Sequence, residues 1–449
     1  MLRMFFRRIR PGQLIVLVFL GIILLGAGLL CLPAAARSGR PTPFLTSLFT
    51  ATSATCVTGL IRVDTGTHWT MFGQVVILLL IQVGGLGFMT IACLFFFALR
   101  RRIGLRQRMV LAQALGSDTY SGIVSLVRNI LRGTAAVEGV GALILFFRFL
   151  PEFGFGRALW YGVFHSVSAF CNAGFDVLAD VDAGGSLCRY VTDPVVNFTI
   201  MALIVIGGLG FAVWGDIRHH RRFSRLSVYS RLVVIITTVL IFGGAGVFAA
   251  LEWNNPNTIG ELTAPQKLMA ALFQSVTLRT AGFATFDQNA LSDVSKAASD
   301  LLMLVGGSSG STAGGVKTAT VGVILLSAWS TARGRTSVHV MKRRIPRQAV
   351  ENASALFILV LLLSGLGAAF LSIADHVSLE NALYETISAL CTVGLTTGIT
   401  SSLGTASQII LIVLMFFGRL GIMTISVGFM AANRAEERVS YAETKIMIG

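Results

Sequence analysis

The sequence predicts an all-α integral membrane protein of four tandem repeats, each made of a span, a re-entrant half-helix, a filter-like loop and a second span. Apolar residues fill 54% of the 449 positions and charged residues only 13%, as in chains whose solvent is lipid. Eight apolar stretches are long enough to cross roughly 30 Å of hydrocarbon as helices. A similar short segment ends in glycine four times, at Gly59, Gly174, Gly282 and Gly394.

The eight predicted spans are interrupted by four apolar stretches that are too short to cross. The spans are residues 13–35, 71–99, 129–150, 195–217, 229–251, 301–329, 353–374 and 408–431. The short stretches are residues 43–54, 159–170, 267–278 and 380–391. At about 1.5 Å of rise per residue, a helix of the shorter kind covers about half the bilayer, so each is expected to enter and turn back.

The four repeats fill the chain with almost nothing between them. They are predicted to cover residues 1–108, 109–225, 226–347 and 348–449, the last with a short cytoplasmic tail. No soluble domain is expected, so a regulator would be a separate polypeptide. Because four similar units can surround one axis, we expect a single pseudo-fourfold pore.

Basic residues fix the expected orientation in the membrane. They cluster in residues 3–10, 100–108, 218–225 and 333–347, near the ends of predicted spans. Since such residues are retained on the cytoplasmic side, both termini are expected there. This topology also explains the net charge of +15, and no nucleic-acid partner is expected. The opposite loops are acidic, with Asp176, Asp180, Asp182, Asp193, Glu252, Glu261, Asp287, Asp293, Asp375 and Glu380.

The glycine-ending segments have the composition expected of a cation filter. A dehydrated cation needs oxygen ligands, and a ring of backbone carbonyls supplies them without fixed charge. Glycine allows the positive φ that such a loop demands, although most of the 48 glycines are expected simply to serve helix contacts. The filter loops are predicted at residues 55–59, 170–174, 278–282 and 390–394. The cation-binding residues are predicted to be Val57, Thr58, Gly59, Asn172, Ala173, Gly174, Thr280, Ala281, Gly282, Thr392, Val393 and Gly394.

The four segments are similar but not identical. Three of them have Ser-Ala six and five residues before the glycine and Cys three residues before it. The third segment has Arg279 in place of the cysteine. A ring built from these loops is therefore expected to have only approximate fourfold symmetry.

Arg419 lies near the middle of the last predicted span, where two other repeats have Gly85 and Gly208. A guanidinium at this depth costs at least ~2.5 kcal/mol on insertion scales, so it must face a polar partner or the pore. We favour a fixed positive charge that forms a barrier to cations and holds a gate. The alternative is a structural tie to carbonyls of a neighbouring repeat.

A second irregularity interrupts the span 301–329. Its glycines and hydroxyl residues are poor helix formers, so the stretch 306–317 is expected to form an intramembrane loop and a gate. A phosphate-binding loop is disfavoured because Val316 separates glycine from lysine and no α/β domain surrounds the stretch. The predicted gate residues are Gly306, Gly307, Ser308, Ser309, Gly310, Ser311, Thr312, Gly314, Gly315 and Lys317, together with Arg419.

Over essentially its whole length the chain resembles the Trk/Ktr/HKT superfamily of potassium-translocating subunits. The residues that carry the resemblance are the four glycine steps, Arg-Thr-Ala-Gly-Phe at 279–283, the glycine-rich break at 306–315 and Phe-Gly-Arg-Leu-Gly at 417–421. The lack of extra spans before the first repeat and the short C-terminal end are similar to the bacterial KtrB branch.

The resemblance implies a gated, potassium-selective pore of a bacterial uptake system in the cell membrane. An intramembrane enzyme is disfavoured by the residues themselves, because its site would need clustered His, Asp or Glu, and the six histidines lie mostly near span ends or in connections. The resemblance also implies a homodimer on a cytosolic nucleotide-binding ring of KtrA type. It further implies K+ as the transported ion, Na+ as a candidate activator and no organic cofactor. Glycine at position 59 favours potassium over sodium within that family. A sodium-coupled potassium symporter on the same scaffold remains the alternative.

Overall fold

The computed structural model describes residues 11–87, 123–178, 185–335 and 337–421, and this part of the chain is mostly helical. A short antiparallel hairpin, β1 (His339–Val340) and β2 (Arg343–Arg344), pairs His339 with Arg344 in the basic connection. The helices are α1 (Pro11–Leu30), α2 (Phe44–Cys56), α3 (Thr65–His68), α4 (Met71–Leu86), α5 (Ile123–Phe170), α6 (Pro194–Leu209), α7 (Phe211–His220), α8 (Val228–Glu252), α9 (Ala264–Thr277), α10 (Asp293–Met303), α11 (Thr318–Ala332), α12 (Arg347–Asp375), α13 (Leu379–Leu390) and α14 (Thr405–Leu420).

Several helices have the length and composition of membrane spans. Within the described residues, α8, α12 and most of α5 are each long and apolar enough to cross a bilayer. The bent pair formed by α6 and α7 is a fourth candidate. Shorter apolar helices occur in α1, α4, α11 and α14. Large apolar side chains such as Leu25, Phe242 and Leu366 are exposed on these helices, which is how a surface in contact with lipid is built.

Three helices end in the same way. α4, α6 and α14 are each 16 residues long and stop at a glycine with positive φ, namely Gly87, Gly210 and Gly421. After Gly210 the chain turns by 93° into α7. The predicted span 195–217 is therefore two helices joined at Gly210 and not one straight helix, because a residue at φ 89° cannot continue a right-handed helix. Residues 88–99 and 422–431 of two other predicted spans lie outside the described residues.

Four short buried helical segments precede the recurring glycines. Three of them are α2, α9 and α13, and the fourth is the C-terminal part of α5. Gly154, with φ 71°, separates that part from the preceding turns of α5. Many of the buried residues of these segments are small or hydroxyl-bearing, as are Ser166 and Ser168, and each segment also buries an aromatic residue such as Phe49.

Glycines in the longer helices allow them to touch the ends of the short ones. A Cβ at Gly84 would overlap the carbonyl oxygen of Thr55. A Cβ at Gly207 would overlap that of Phe170, and one at Gly418 that of Leu390. Each of these carbonyls lies four residues before a recurring glycine, so the same contact occurs three times in the fold.

We expect Gly207→Ala to destabilise the protein, because its Cβ would collide with backbone that cannot move independently. Overpacking of this kind costs about 1–3 kcal/mol. The neighbouring Gly208→Ala is the matched control, since its Cβ would meet nothing closer than 3.6 Å. Thermal unfolding of the detergent-solubilised protein measures the difference. Equal melting temperatures for the two variants would contradict the packing role of Gly207.

Candidate functional site

The four recurring glycines meet at one place, although more than 330 residues separate the first from the last. A Cβ at Gly59 would lie 2.6 Å from the carbonyl oxygen of Ala173, and one at Gly174 would lie 2.8 Å from that of Ala281. A Cβ at Gly282 would lie 2.5 Å from the carbonyl oxygen of Val393. Finally, a Cβ at Gly394 would overlap the carbonyl oxygen of Thr58. Each loop thus contacts the next in sequence, and the fourth contacts the first.

All four loops share one unusual backbone conformation. The residues two positions before the glycines, Val57, Asn172, Thr280 and Thr392, have left-handed φ values of 52° to 66°. The glycines themselves have φ between 68° and 102°. Left-handed φ is rare for a residue with a side chain, and its recurrence at the same position shows that the four loops have a common shape.

Hydroxyl groups hold these loops in place. Ser53 Oγ accepts a hydrogen bond from the amide of Gly59 at 3.1 Å, and Ser388 Oγ accepts one from the amide of Gly394 at 3.0 Å. In the other two loops Ser168 and Thr277 donate instead to carbonyls beyond the glycine, at 2.7 and 2.6 Å. The sequence shows a serine six residues before three of the four glycines, but no role was predicted for it. This recurrence was the signal that could have indicated a hydrogen bond to the loop.

A cavity of about 230 Å³ opens above the four glycines and is acidic. All four glycines line it, and so do Asp64, Asp176 and Asp287, and none of its described lining residues is basic. Because low-dielectric walls focus the field of fixed charges, this cavity attracts cations. Asp64 was missed by sequence reasoning, since it follows the first glycine in a loop with Arg62.

Asp176 is the most buried of the three carboxylates, with 7% of its surface exposed. Its Oδ1 has no hydrogen-bond partner within the described part of the chain. Burial and the nearby charge of Asp64 raise the pKa of Asp176 to about 7. This carboxylate therefore changes charge near neutral pH.

The stretch 304–317 leaves the helical path between α10 and α11 and lies below the glycine ring. Ser308 and Thr312 donate hydrogen bonds to the end of α6: the amide of Ser308 donates to Gly208 O at 3.0 Å and the amide of Thr312 to Gly207 O at 3.3 Å. The hydroxyl of Thr312 also donates to Phe170 O at 2.9 Å. The loop is thereby attached beneath the second glycine segment.

The same stretch contacts the third and fourth segments. A Cβ at Gly306 would lie 3.2 Å from the side chain of Thr280, and one at Gly315 would lie 3.3 Å from Cys391 O. A Cβ at Gly314 would overlap the hydroxyl of Thr392. The glycines of this stretch therefore allow it to pack directly against the loops above it.

Arg419 links the loop 306–317 to α4, the helix that contacts the end of the first half-helix. Its guanidinium donates to Thr312 O at 2.5 Å, to Gly84 O at 2.5 Å and to Gly85 O at 3.1 Å. The hydrogen bonds to carbonyls are those of the structural alternative, while the charge itself lies among the predicted gate residues. The role of Arg419 as a barrier to cations stays a prediction.

Lys317 and Arg279 also donate to carbonyls of the loop. Lys317 Nζ donates to Ala313 O at 2.8 Å and to Gly314 O at 3.3 Å. The Arg279 guanidinium lies 3.4 Å from Gly306 O. Arg279, which replaces the cysteine of the other three segments, therefore lies with its positive charge against the beginning of the loop.

Of the remaining predicted gate residues, Ser309 and Gly310 contact α8 and α7. Ser309 O accepts a hydrogen bond from the hydroxyl of Tyr229 at 3.2 Å, and Gly310 O accepts one from the amide of Phe211 at 3.0 Å. Gly307 O accepts one from the amide of Thr318 at 3.0 Å. Ser311 Oγ has no partner among the residues that the structure describes.

Comparison with known proteins identifies relatives over nearly the whole chain. The family model described as TrkH, cation transport protein, matches residues 28–438. The chain is 40% identical to the potassium/sodium uptake protein NtpJ of Enterococcus hirae, over 99% of this chain and 98% of that protein. It is 39% identical to the Ktr system potassium uptake protein B of Bacillus subtilis, over 98% of this chain and 97% of that protein.

The fold also matches a solved structure, that of the potassium transporter TrkH from Vibrio parahaemolyticus. The TM-score is 0.74 at 17% sequence identity, over 93% of this chain and 84% of the other. At that identity the match supports the shared helical fold.

Proposed function

Because the chain belongs to the TrkH family of cation transport proteins, we propose that it is the potassium-translocating subunit of a bacterial uptake system in the cell membrane. K+ is then the transported ion, and Na+ is a candidate activator. The relatives named as Ktr system protein B are named for potassium uptake alone, so the sodium-coupled alternative is not favoured.

The observation that carries this proposal is the closed set of contacts among the four glycine loops. Each glycine lies against the carbonyl of the residue before the next loop's glycine. Carbonyl oxygens brought together in this way are the ligands that replace the hydration shell of an alkali cation. We infer that residues 57–59, 172–174, 280–282 and 392–394 form the selectivity filter.

Threonine hydroxyl groups supply further candidate oxygen ligands in the proposed filter. In the described residues Thr58, Thr280 and Thr392 each have a buried hydroxyl oxygen without a hydrogen-bond partner. Buried polar atoms without a protein partner are uncommon, and an ion or its water would satisfy them. Thr280 and Thr392 lie at the same position of their loops, which is consistent with a shared role.

We propose that four repeats surround this filter with pseudo-fourfold symmetry, through eight spans and four re-entrant half-helices. The repeated contact of Gly84, Gly207 and Gly418 with half-helix ends supports the repeat assignment. The proposed repeats are residues 1–108, 109–225, 226–347 and 348–449, with both termini in the cytoplasm.

The gate is proposed to be the loop 306–317 together with Arg419. The loop lies directly below the filter residues, and Arg419 binds its Thr312 carbonyl. A fixed guanidinium at this position repels cations on their way out of the filter. Opening requires the loop and Arg419 to separate.

The proposed partners are a second copy of the chain and a cytosolic nucleotide-binding ring. Relatives named as parts of a Ktr system support the presence of further components. A separate ring would supply the regulation for which no soluble domain is predicted in this chain.

Potassium-dependent growth tests the proposed function. The chain, expressed in a host that lacks its own potassium uptake, should restore growth at low external K+, and a ring subunit should increase the uptake rate. The matched negative control is the same host with Gly394→Ala. Failure of the correctly inserted protein to restore growth, with or without the ring, would contradict the proposal.

We expect uptake at low K+ to weaken as external pH falls through about 7, because Asp176 then becomes protonated and its charge is lost from the outer cavity. A raised pKa means that the charged, cation-attracting form is present only above that pH. Asp176→Asn should give uptake that is weaker and independent of pH in this range. Rates measured with a potassium electrode at several pH values test this.

Asp287→Asn is the control for that experiment, since Asp287 lines the same cavity but is exposed, whereas Asp176 is buried. It should weaken uptake and keep the pH dependence. A pH dependence that survives Asp176→Asn would show that another group is responsible.

A further inference from the structure

A cavity beside the proposed gate combines an apolar wall with two cations. The side cavity, of about 210 Å³, lies between the loop 306–317, α12 and α14. Leu356 and Val360 on α12 and Leu390 at the end of α13 form its apolar wall. The side chains of Lys317 and Arg419 also line it. Such a combination suits a ligand that is anionic at one end and apolar at the other.

Within the part of the chain that the structure describes, the two cations have no acidic partner. No residue that lines the side cavity is acidic, and neither Lys317 nor Arg419 takes part in an ion pair among the described residues. Both residues line one small cavity, so two half-buried like charges lie near each other there. Placing like charges together without a counter-charge is unfavourable, so an anion in the cavity would be stabilised by both.

Both cations have hydrogen-bond donors to spare. Lys317 uses two of the three donors of an ammonium group, on Ala313 O and Gly314 O. Arg419 makes three hydrogen bonds, and a guanidinium has five donor hydrogens. A carboxylate or phosphate oxygen could therefore bind without first breaking the contacts to the loop.

We propose that the side cavity binds an anionic amphiphile, with its carboxylate or phosphate between Lys317 and Arg419 and its acyl chain along Leu356, Val360 and Leu390. This inference rests on the proposed function, which places the cavity inside the bilayer and next to the gate. The bound head group offsets the positive charge of Lys317 and Arg419 at the gate. Binding therefore favours the conducting state.

Binding is measured directly with the purified full-length chain in phosphatidylcholine vesicles. The probes are spin-labelled phosphatidylglycerol, spin-labelled stearate and, as the zwitterionic reference, spin-labelled phosphatidylcholine. The anionic probes should bind in preference to the reference. Lys317→Gln should weaken this preference about tenfold, since one charge-assisted interaction is lost, while Lys317→Arg should retain it.

A second pair of variants tests the acyl-chain site without altering charge. Val360→Trp should fill the cavity and abolish the preference, because Val360 is 5% exposed and faces the cavity. Ile358→Trp is the control on the same helix, since Ile358 is 56% exposed. This pair keeps the test decisive if Lys317→Gln fails to fold.

The outcomes separate the two sources of the ligand. Preference for phosphatidylglycerol identifies a membrane phospholipid, and preference for stearate alone identifies a free fatty acid. Equal binding of all three probes, or a preference unchanged by both Lys317→Gln and Val360→Trp, would overturn the proposal. Potassium-over-sodium selectivity, measured in the same vesicles, reports on the filter independently of this site.

Discussion

Gly394→Ala is expected to abolish selective potassium uptake, with a loss of about 100-fold or more. A Cβ at this position would overlap the carbonyl oxygen of Thr58, and φ is +94°. Overlap and backbone strain together cost about 3 kcal/mol, which corresponds to roughly two powers of ten. The first and fourth loops must separate to relieve it, and their carbonyls then leave the proposed ring. Flux of K+ and Na+ into vesicles measures both rate and selectivity.

Gly398→Ala is the matched control for this experiment. Gly398 lies four residues further on, lines the same outer cavity and also has a positive φ of +89°, but a Cβ there would meet nothing within 4 Å. It carries the backbone strain without the collision. If both variants lose uptake equally, the contact between the first and fourth loops is not what matters.

Arg419→Gln is expected to raise K+ flux about tenfold in the absence of any ring subunit. The arginine donates to carbonyls of the gate loop and of α4, and loss of one charge-assisted hydrogen bond is worth about 1.5 kcal/mol. An equilibrium between closed and open forms then shifts by roughly a factor of ten. The variant also removes the fixed charge below the filter. Flux from K+-loaded vesicles gives the measurement.

Arg419→Lys separates the charge from the hydrogen bonds. A lysine keeps the positive charge but cannot reach three carbonyls with a planar fork, so flux should fall between those of the wild type and Arg419→Gln. Reduced expression of Arg419→Gln with unchanged flux per molecule would instead assign Arg419 a purely structural role.

Much of the site was predictable because its signals are local. The glycines, the short apolar segments before them and the glycine-rich stretch 306–317 can all be recognised within a few dozen residues. Helix length against bilayer thickness and the demand of positive φ for glycine are enough to interpret them. The family resemblance is carried by the same residues.

Other features depend on contacts between distant residues. The bend at Gly210 divides the predicted span 195–217 into two helices, and an apolar run cannot show which of its glycines takes positive φ. Asp64 was overlooked since its closeness to Asp176 arises only when the first and second loops meet. The carbonyl partners of Arg419 come from residues more than 100 positions away.

By itself the sequence determined that this protein lies in a membrane, that it is helical, that four segments recur along it and which family it belongs to. These follow from composition and short-range patterns. Only the tertiary structure decided the order in which the loops touch, the attachment of the lower loop and the cavities lined by residues of several helices. Those contacts depend on backbone approach and side-chain packing across the fold, which local sequence patterns do not encode.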